Sequence, residues 1–208
     1  MKKTLYALNM VWICFYAIPF FGQEADITNI KETEGSYWMD YNAGVGRINA
    51  PLFCGQNGDT YLVGQWSASQ RGCYMHEIAK TPFSYGTSVW INYLDTKLQG
   101  KAYVPLRFMV GPALAVKTPI TKKGYFYVTA TAGLKWDVHW NRNLPEGYYF
   151  CQDALSLGGS LSASCVFFGN GVKFTVYSYG NSRKVNVKDP LIDGWDISYC
   201  VYLSQKKQ

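Results

Sequence analysis

Few residues of this chain are suited to chemistry. Among 208 residues there are two histidines, His76 and His139. His139 alternates with Asp137 and Lys135, so in an extended strand the three side chains share a face. An imidazole flanked by a carboxylate and an ammonium could move a proton there; the blander account is a strand-end histidine beside Trp140. His76 opens "HEIAK", which lacks the second histidine, four residues on, that a metal-binding HExxH helix requires. Gly44, Gly46, Gly158 and Gly159 fall inside strand-like stretches with no helix following, and read as close packing or bends rather than phosphate loops. Cys54, Cys73, Cys151, Cys165 and Cys200 are widely spaced, with no CxxC and no metal-ligand pattern. Cys54 and Cys151 both fall in loop-like stretches and are the preferred disulfide, with free thiols throughout as the alternative. Neither a cofactor nor a metal is expected.

Strands must position whatever these residues do. In "YFYVTATAGLKWDVHW", residues 125–140, alternate positions form two chemically distinct sets. Phe126, Val128, Ala130, Ala132, Leu134, Trp136, Val138 and Trp140 make one; Tyr125, Tyr127, Thr129, Thr131, Gly133, Lys135, Asp137 and His139 make the other. Period two is the mark of a strand, and this run far exceeds the ordinary length of about 5 or 6 residues. The pattern recurs in "LSLGGSLSASCVFF", in "VKFTVYSY" and in "WDISYCVYLS". Upstream, "YVPLRFMVGPALAVK" sets Val104, Leu106, Phe108, Val110, Leu114 and Val116 against Arg107 and Lys117, with Pro105 and Pro112 needing bulges or rim positions. "SYWMDYNAGVGR" alternates Tyr37, Met39, Tyr41, Ala43 and Val45 with Trp38, Asp40 and Asn42. "TYLVGQWSASQR" and "SYGTSVWINYLD" are less regular and bring the expected strands to eight. Among the joins, the fourth and sixth are short and the fifth and seventh long, as in an up-and-down barrel; the second, "GCYMHEIAKTPF", is long where that scheme requires a short one.

Lys2 and Lys3 precede the apolar "TLYALNMVWICFYAIPFFG", the layout of an export signal. The expected organisation is a signal peptide over residues 1–22, an irregular lead over 23–35 and a β-barrel domain over 36–208, with a retained membrane anchor as the alternative for the first segment. Without those two lysines, 18 basic residues face 14 acidic ones, too mild an excess to indicate nucleic acid.

The decisive question is which face meets water. A soluble barrel or sandwich would present a charged outer face, yet the polar sets here are mostly Ser, Gly, Thr, Tyr and Asn. Small residues suit the narrow interior of an eight-stranded barrel. Asp40, Arg107, Lys135, Asp137, Lys173 and Asp196 are expected to form a balanced internal network, so that neutralising Lys135 would leave an anion unpaired. On the apolar faces Tyr37, Tyr41, Phe126, Trp136, Trp140, Phe167 and Trp195 are candidates for interfacial aromatic girdles. The expected fold is therefore an all-β, eight-stranded antiparallel up-and-down transmembrane β-barrel. An exported soluble barrel with its apolar faces lining a ligand pocket is the alternative.

Over residues 36–204 the chain resembles the small eight-stranded outer-membrane β-barrels of Gram-negative cells, such as the OmpA transmembrane domain, OmpX and OmpW. The resemblance rests on pattern, export signal and length; "DGWDISYCVYL" loosely matches the final strand of that porin-like group, whose members commonly end on an aromatic where this chain ends "LSQKKQ". It implies insertion among outer-membrane lipid by the barrel-insertion machinery, loops offered to an unknown extracellular partner, and a structural or surface-interaction role without catalysis. Some barrels of this kind deacylate lipid A with a serine two residues after a histidine; here that position is Asn141, so the motif is not met.

Overall fold

In the computed structural model the alternation in sequence becomes alternation in space. The structure describes residues 36–48, 53–55, 60–61, 66–94, 97–98, 101–104, 106–138, 143–150, 155–179 and 192–205. Eight long strands carry the architecture: β1 (Tyr37–Ile48), β2 (Trp66–Glu77), β3 (Phe83–Leu94), β4 (Leu106–Thr121), β5 (Gly124–Val138), β6 (Leu155–Phe167), β7 (Asn170–Tyr179) and β8 (Gly194–Gln205). Each pairs antiparallel with its neighbours in sequence, and β1 pairs with β8 from Tyr37–Gln205 to Ile48–Gly194, closing the barrel.

The closure has a definite stagger. Cα partners lead from Tyr37 through His76, Tyr85, Leu114, Ala130, Leu161, Val176 and Trp195 back to β1 at Arg47, ten residues further on. Ten residues at about 3.3 Å, spread over eight strands about 4.8 Å apart, tilt the strands by roughly 41° from the axis. A strand so tilted needs about 9 to 11 residues to cross a hydrocarbon layer, and the shortest of these has 10.

Joins alternate in length around the barrel. Ile78–Pro82, Lys122–Lys123 and Phe168–Gly169 are tight turns at one end, and the four other joins, all longer, lie at the opposite end. The second join is therefore short, contrary to the sequence reading. The reason is a misplaced strand: Gly72–Glu77 belong to β2, whereas Thr60–Tyr61 leave the barrel and pair with Phe53–Cys54. In β2 the outward residues Ala68, Gln70 and Gly72 are hardly apolar, so the contrast that marks other strands is faint. Pro105 lies outside the described residues; of the prolines within β4, Pro112 falls where pairing with β5 is interrupted and Pro119 borders a shift of register. Pairing with β5 skips Gly111 and Pro112, and the register shifts between Pro119 and Thr121.

Large rings fill the interior, and a Cβ at Gly194 would stand 2.5 Å from the Tyr177 ring. Trp38, Trp90, Tyr127 and Tyr177 are all buried inside the strands. Opposite one another on β4 and β5 lie Gly111 and Gly133, where a Cβ at Gly133 would stand 2.2 Å from the Val110 carbonyl oxygen. Residues 1–35 lie outside the described residues, and with them the expected signal peptide and lead.

Candidate functional site

The side chains divide by face. Leu157, Trp66 and Leu114 are about two-thirds exposed, with Val45, Val89, Val110, Leu134, Leu161, Val172 and Ile197 beside them on the outer surface. Facing inward and buried are Asp40, Arg107, Lys135, Asp137, Lys173 and Asp196. The apolar sets thus do not line an interior pocket, as the soluble ligand-binding alternative requires.

Each ionic group has a partner supplied by another strand or by a residue two places along its own. Arg107 of β4 and Asp137 of β5 are Cα partners, so the guanidinium meets the carboxylate squarely: Nε donates to Oδ1 at 2.6 Å and an Nη to Oδ2 at 2.9 Å. Lys135, on the same face two residues before Asp137, adds a third bond to Oδ2 at 3.1 Å. Buried Asp193, just ahead of β8, adds a negative charge acting on Lys135. Lower in the barrel Asp40 accepts from the Lys173 ammonium, from the Tyr127 hydroxyl at 3.0 Å and from the Asn42 amide at 3.2 Å. Asp196 accepts from the Ser198 hydroxyl at 2.8 Å. Such pairing is what burial of charge demands, since an unpaired ion there costs several kcal/mol.

Sequence reasoning missed part of this group. Arg71 points inward from β2, donates to the Thr175 hydroxyl at 3.3 Å and stacks 4.2 Å from the Trp90 ring centroid. Its signal was the Ser67, Ser69, Arg71, Cys73, Met75 alternation, visible once β2 is extended to Glu77. Lys117, which is not among the six residues expected to form the network, pairs with Glu77 and donates to the Tyr202 hydroxyl at 3.1 Å; Glu77 also accepts from Ser36. Among the described residues, Arg71, Arg107, Lys117, Lys135 and Lys173 therefore face Asp40, Glu77, Asp137, Asp193 and Asp196, five cations with five anions.

Apolar and aromatic side chains lie above and below the ions. Toward the tight turns, Trp38 packs on Tyr127 and Tyr202 with centroids 5.1 and 5.4 Å apart, and its indole donates to Ser84 at 3.1 Å. Toward the long joins, Ile48, Phe53, Trp90, Leu94, Tyr103, Val104, Met109 and Tyr177 form a buried cluster. The long joins contribute to it through a small sheet in which Tyr148–Phe150 pairs with Phe53–Gly55.

Outside, aromatics gather near both ends of the strands. Tyr37, Tyr74, His76 and Tyr85 touch in a row, with His76 4.9 Å from Tyr74 and 5.7 Å from Tyr85. Near the long joins Trp66 meets Trp195 edge-on at 6.4 Å, and Phe108 lies 6.3 Å from Trp136. Phe126 and Phe167 are exposed at the tight-turn end, whereas Tyr41 sits in mid-strand between Gly72 and Val201. His139, Trp140 and Cys151 lie outside the described residues, as does the side chain of Cys54. Among the described cysteines Cys73, Cys165 and Cys200 are free thiols.

A closed eight-stranded antiparallel barrel with its ions inside and its apolar residues outside has the fold of the small outer-membrane barrels. Comparison with a solved structure, that of Neisserial surface protein A, supports this fold. Neisserial surface protein A matches with a TM-score of 0.54 at 12% identity, over 82% of this chain and 99% of that one. Ail, the attachment invasion locus protein of Yersinia pestis, crystallised with the heparin analogue sucrose octasulfate, gives a TM-score of 0.42 at 9% identity, covering 82% of this chain and 100% of that one. No family model matches the chain, and no curated protein matches its sequence.

Proposed function

We propose that this chain is exported and inserted into a Gram-negative outer membrane as a barrel filled by its own side chains, with a structural or surface-interaction role and no catalysis. The observation that carries this reading is the inverted distribution of polarity. Soluble monomers rarely expose a continuous apolar surface of more than a few hundred Å²; here one runs around the barrel through all eight strands. A closed barrel also satisfies its backbone groups internally, as hydrocarbon requires. The long joins then lie on the outer side and offer the surface to an unidentified extracellular partner; the surface location in the name of the Neisserial protein is compatible with this. Insertion machinery and outer-membrane lipid would be its other partners.

The test is fractionation. The mature protein should leave the membrane only in detergent and migrate faster unboiled than boiled on a denaturing gel. Release into aqueous buffer as a folded monomer would refute the reading.

The loop end supports one covalent proposal. Cys54 stands opposite Tyr149, two residues before Cys151, in the small sheet. A disulfide between them would clamp the first and fifth joins. Reductant should then slow the unboiled barrel on a gel, and a Cys54→Ser/Cys151→Ser variant should match the reduced wild type; identical mobility of all forms would exclude the bridge.

A further inference from the structure

Among the described residues, the tight-turn end has an unbalanced charge. Lys80, Lys122 and Lys123 are exposed there, and the one acid among the described residues of that end, Glu77, is already held by Lys117 and Ser36. Around these lysines the apolar belt continues onto the turns through Ile78, Phe83, Ile120, Phe167 and Phe168.

The turn backbone supplies a second, independent observation. Phe168 and Gly169 have φ of 52° and 78°, so both central residues of this two-residue hairpin are left-handed. That conformation favours Asn-Gly or Gly-Gly and disfavours a bulky aromatic. Yet Phe168 is 67% exposed, with the Lys123 ammonium 5.2 Å from its ring centroid. Lys80 is left-handed too, with φ of 60°. Strain maintained beneath exposed side chains suggests a use outside the protein.

We propose that this end is a docking surface for anionic phospholipid in the leaflet it faces, with Lys80, Lys122 and Lys123 meeting headgroup phosphates and Phe168 lying at the acyl boundary. The proposal rests on the barrel spanning a membrane. Anionic headgroups complement these lysines, which meet no acid among the described residues, and the ring and isoleucines match the depth at which belts of interfacial side chains sit. A free phosphate would satisfy the lysines and leave Ile78, Ile120 and Phe168 in water, so a bilayer is the better fit.

The test compares urea unfolding of the full mature barrel in vesicles of phosphatidylcholine alone and of phosphatidylcholine with phosphatidylglycerol. We expect anionic lipid to raise the wild-type midpoint, by about fivefold in the folding equilibrium for each lysine engaged. Lys80→Gln/Lys122→Gln/Lys123→Gln should fold in neutral vesicles and lose that gain, as should wild type in high salt. Phe168→Asn, which suits the left-handed position, should be at least as stable as wild type in micelles and lose stability relative to it in bilayers. Equal wild-type midpoints in the two lipids would overturn the proposal while leaving the membrane reading intact. Failure to insert into either would overturn both. An equal gain in neutral vesicles from inorganic phosphate or soluble polyglutamate would assign the surface to a different anion and reject lipid.

Discussion

At Asp40 three donors converge on one buried carboxylate, and Lys173 is the only one of them that carries charge. Replacing Lys173 with Met should cost roughly 3 to 5 kcal/mol, because the anion stays behind in a water-poor interior. Urea unfolding of Lys173→Met and of Asp40→Asn/Lys173→Met measures this: the double variant should recover much of the loss, and equal stability of the two would show that Asp40 is not stranded. Asp137 is held differently, with two bonds from Arg107 and one from Lys135. Arg107→Met should therefore destabilise more than Lys135→Met, and the reverse order in the same assay would contradict the geometry. Lys117→Gln, at the half-buried rim pair with Glu77, should cost about 1 kcal/mol or less.

Strand β5 meets β4 through glycine at Gly133, where an added methyl would meet backbone on the neighbouring strand. Gly133→Ala must part that seam, and we expect a loss above about 2 kcal/mol or failure to yield the fast-migrating unboiled form. Gly72→Ala is the control, since a Cβ there meets nothing within 4 Å; it should stay within about 0.5 kcal/mol of wild type. Elements of this kind were readable from sequence where the two faces differ sharply. In β6, leucines alternate with serines, and β7 and β8 are similar, so faces and partners followed directly. Strand β2 was misplaced by six residues because its lipid side carries Ala68, Gln70 and Gly72, while Tyr61 and the apolar residues after it imitate a strand. Arg71 was lost with it. Trp90 was hidden for another reason: an indole facing inward, packed on Tyr177 and under the Arg71 guanidinium, contradicts the expectation of small interior residues. Partners such as Lys173 with Asp40 join strands that are not adjacent, and no local pattern encodes that.

As a whole the molecule has polar bonding at its centre and aromatic clusters toward each end. Reconstituted in planar bilayers, such a barrel should carry no steady ionic current; stable single-channel steps in the wild type would contradict a filled interior. The seam between β1 and β8 has a further consequence. Tyr37 cannot find Gln205 until all eight strands are available, and seven strands would leave two bare margins, each a template for unwanted neighbours. Closing the ring through β1 and β8 hides both margins at once.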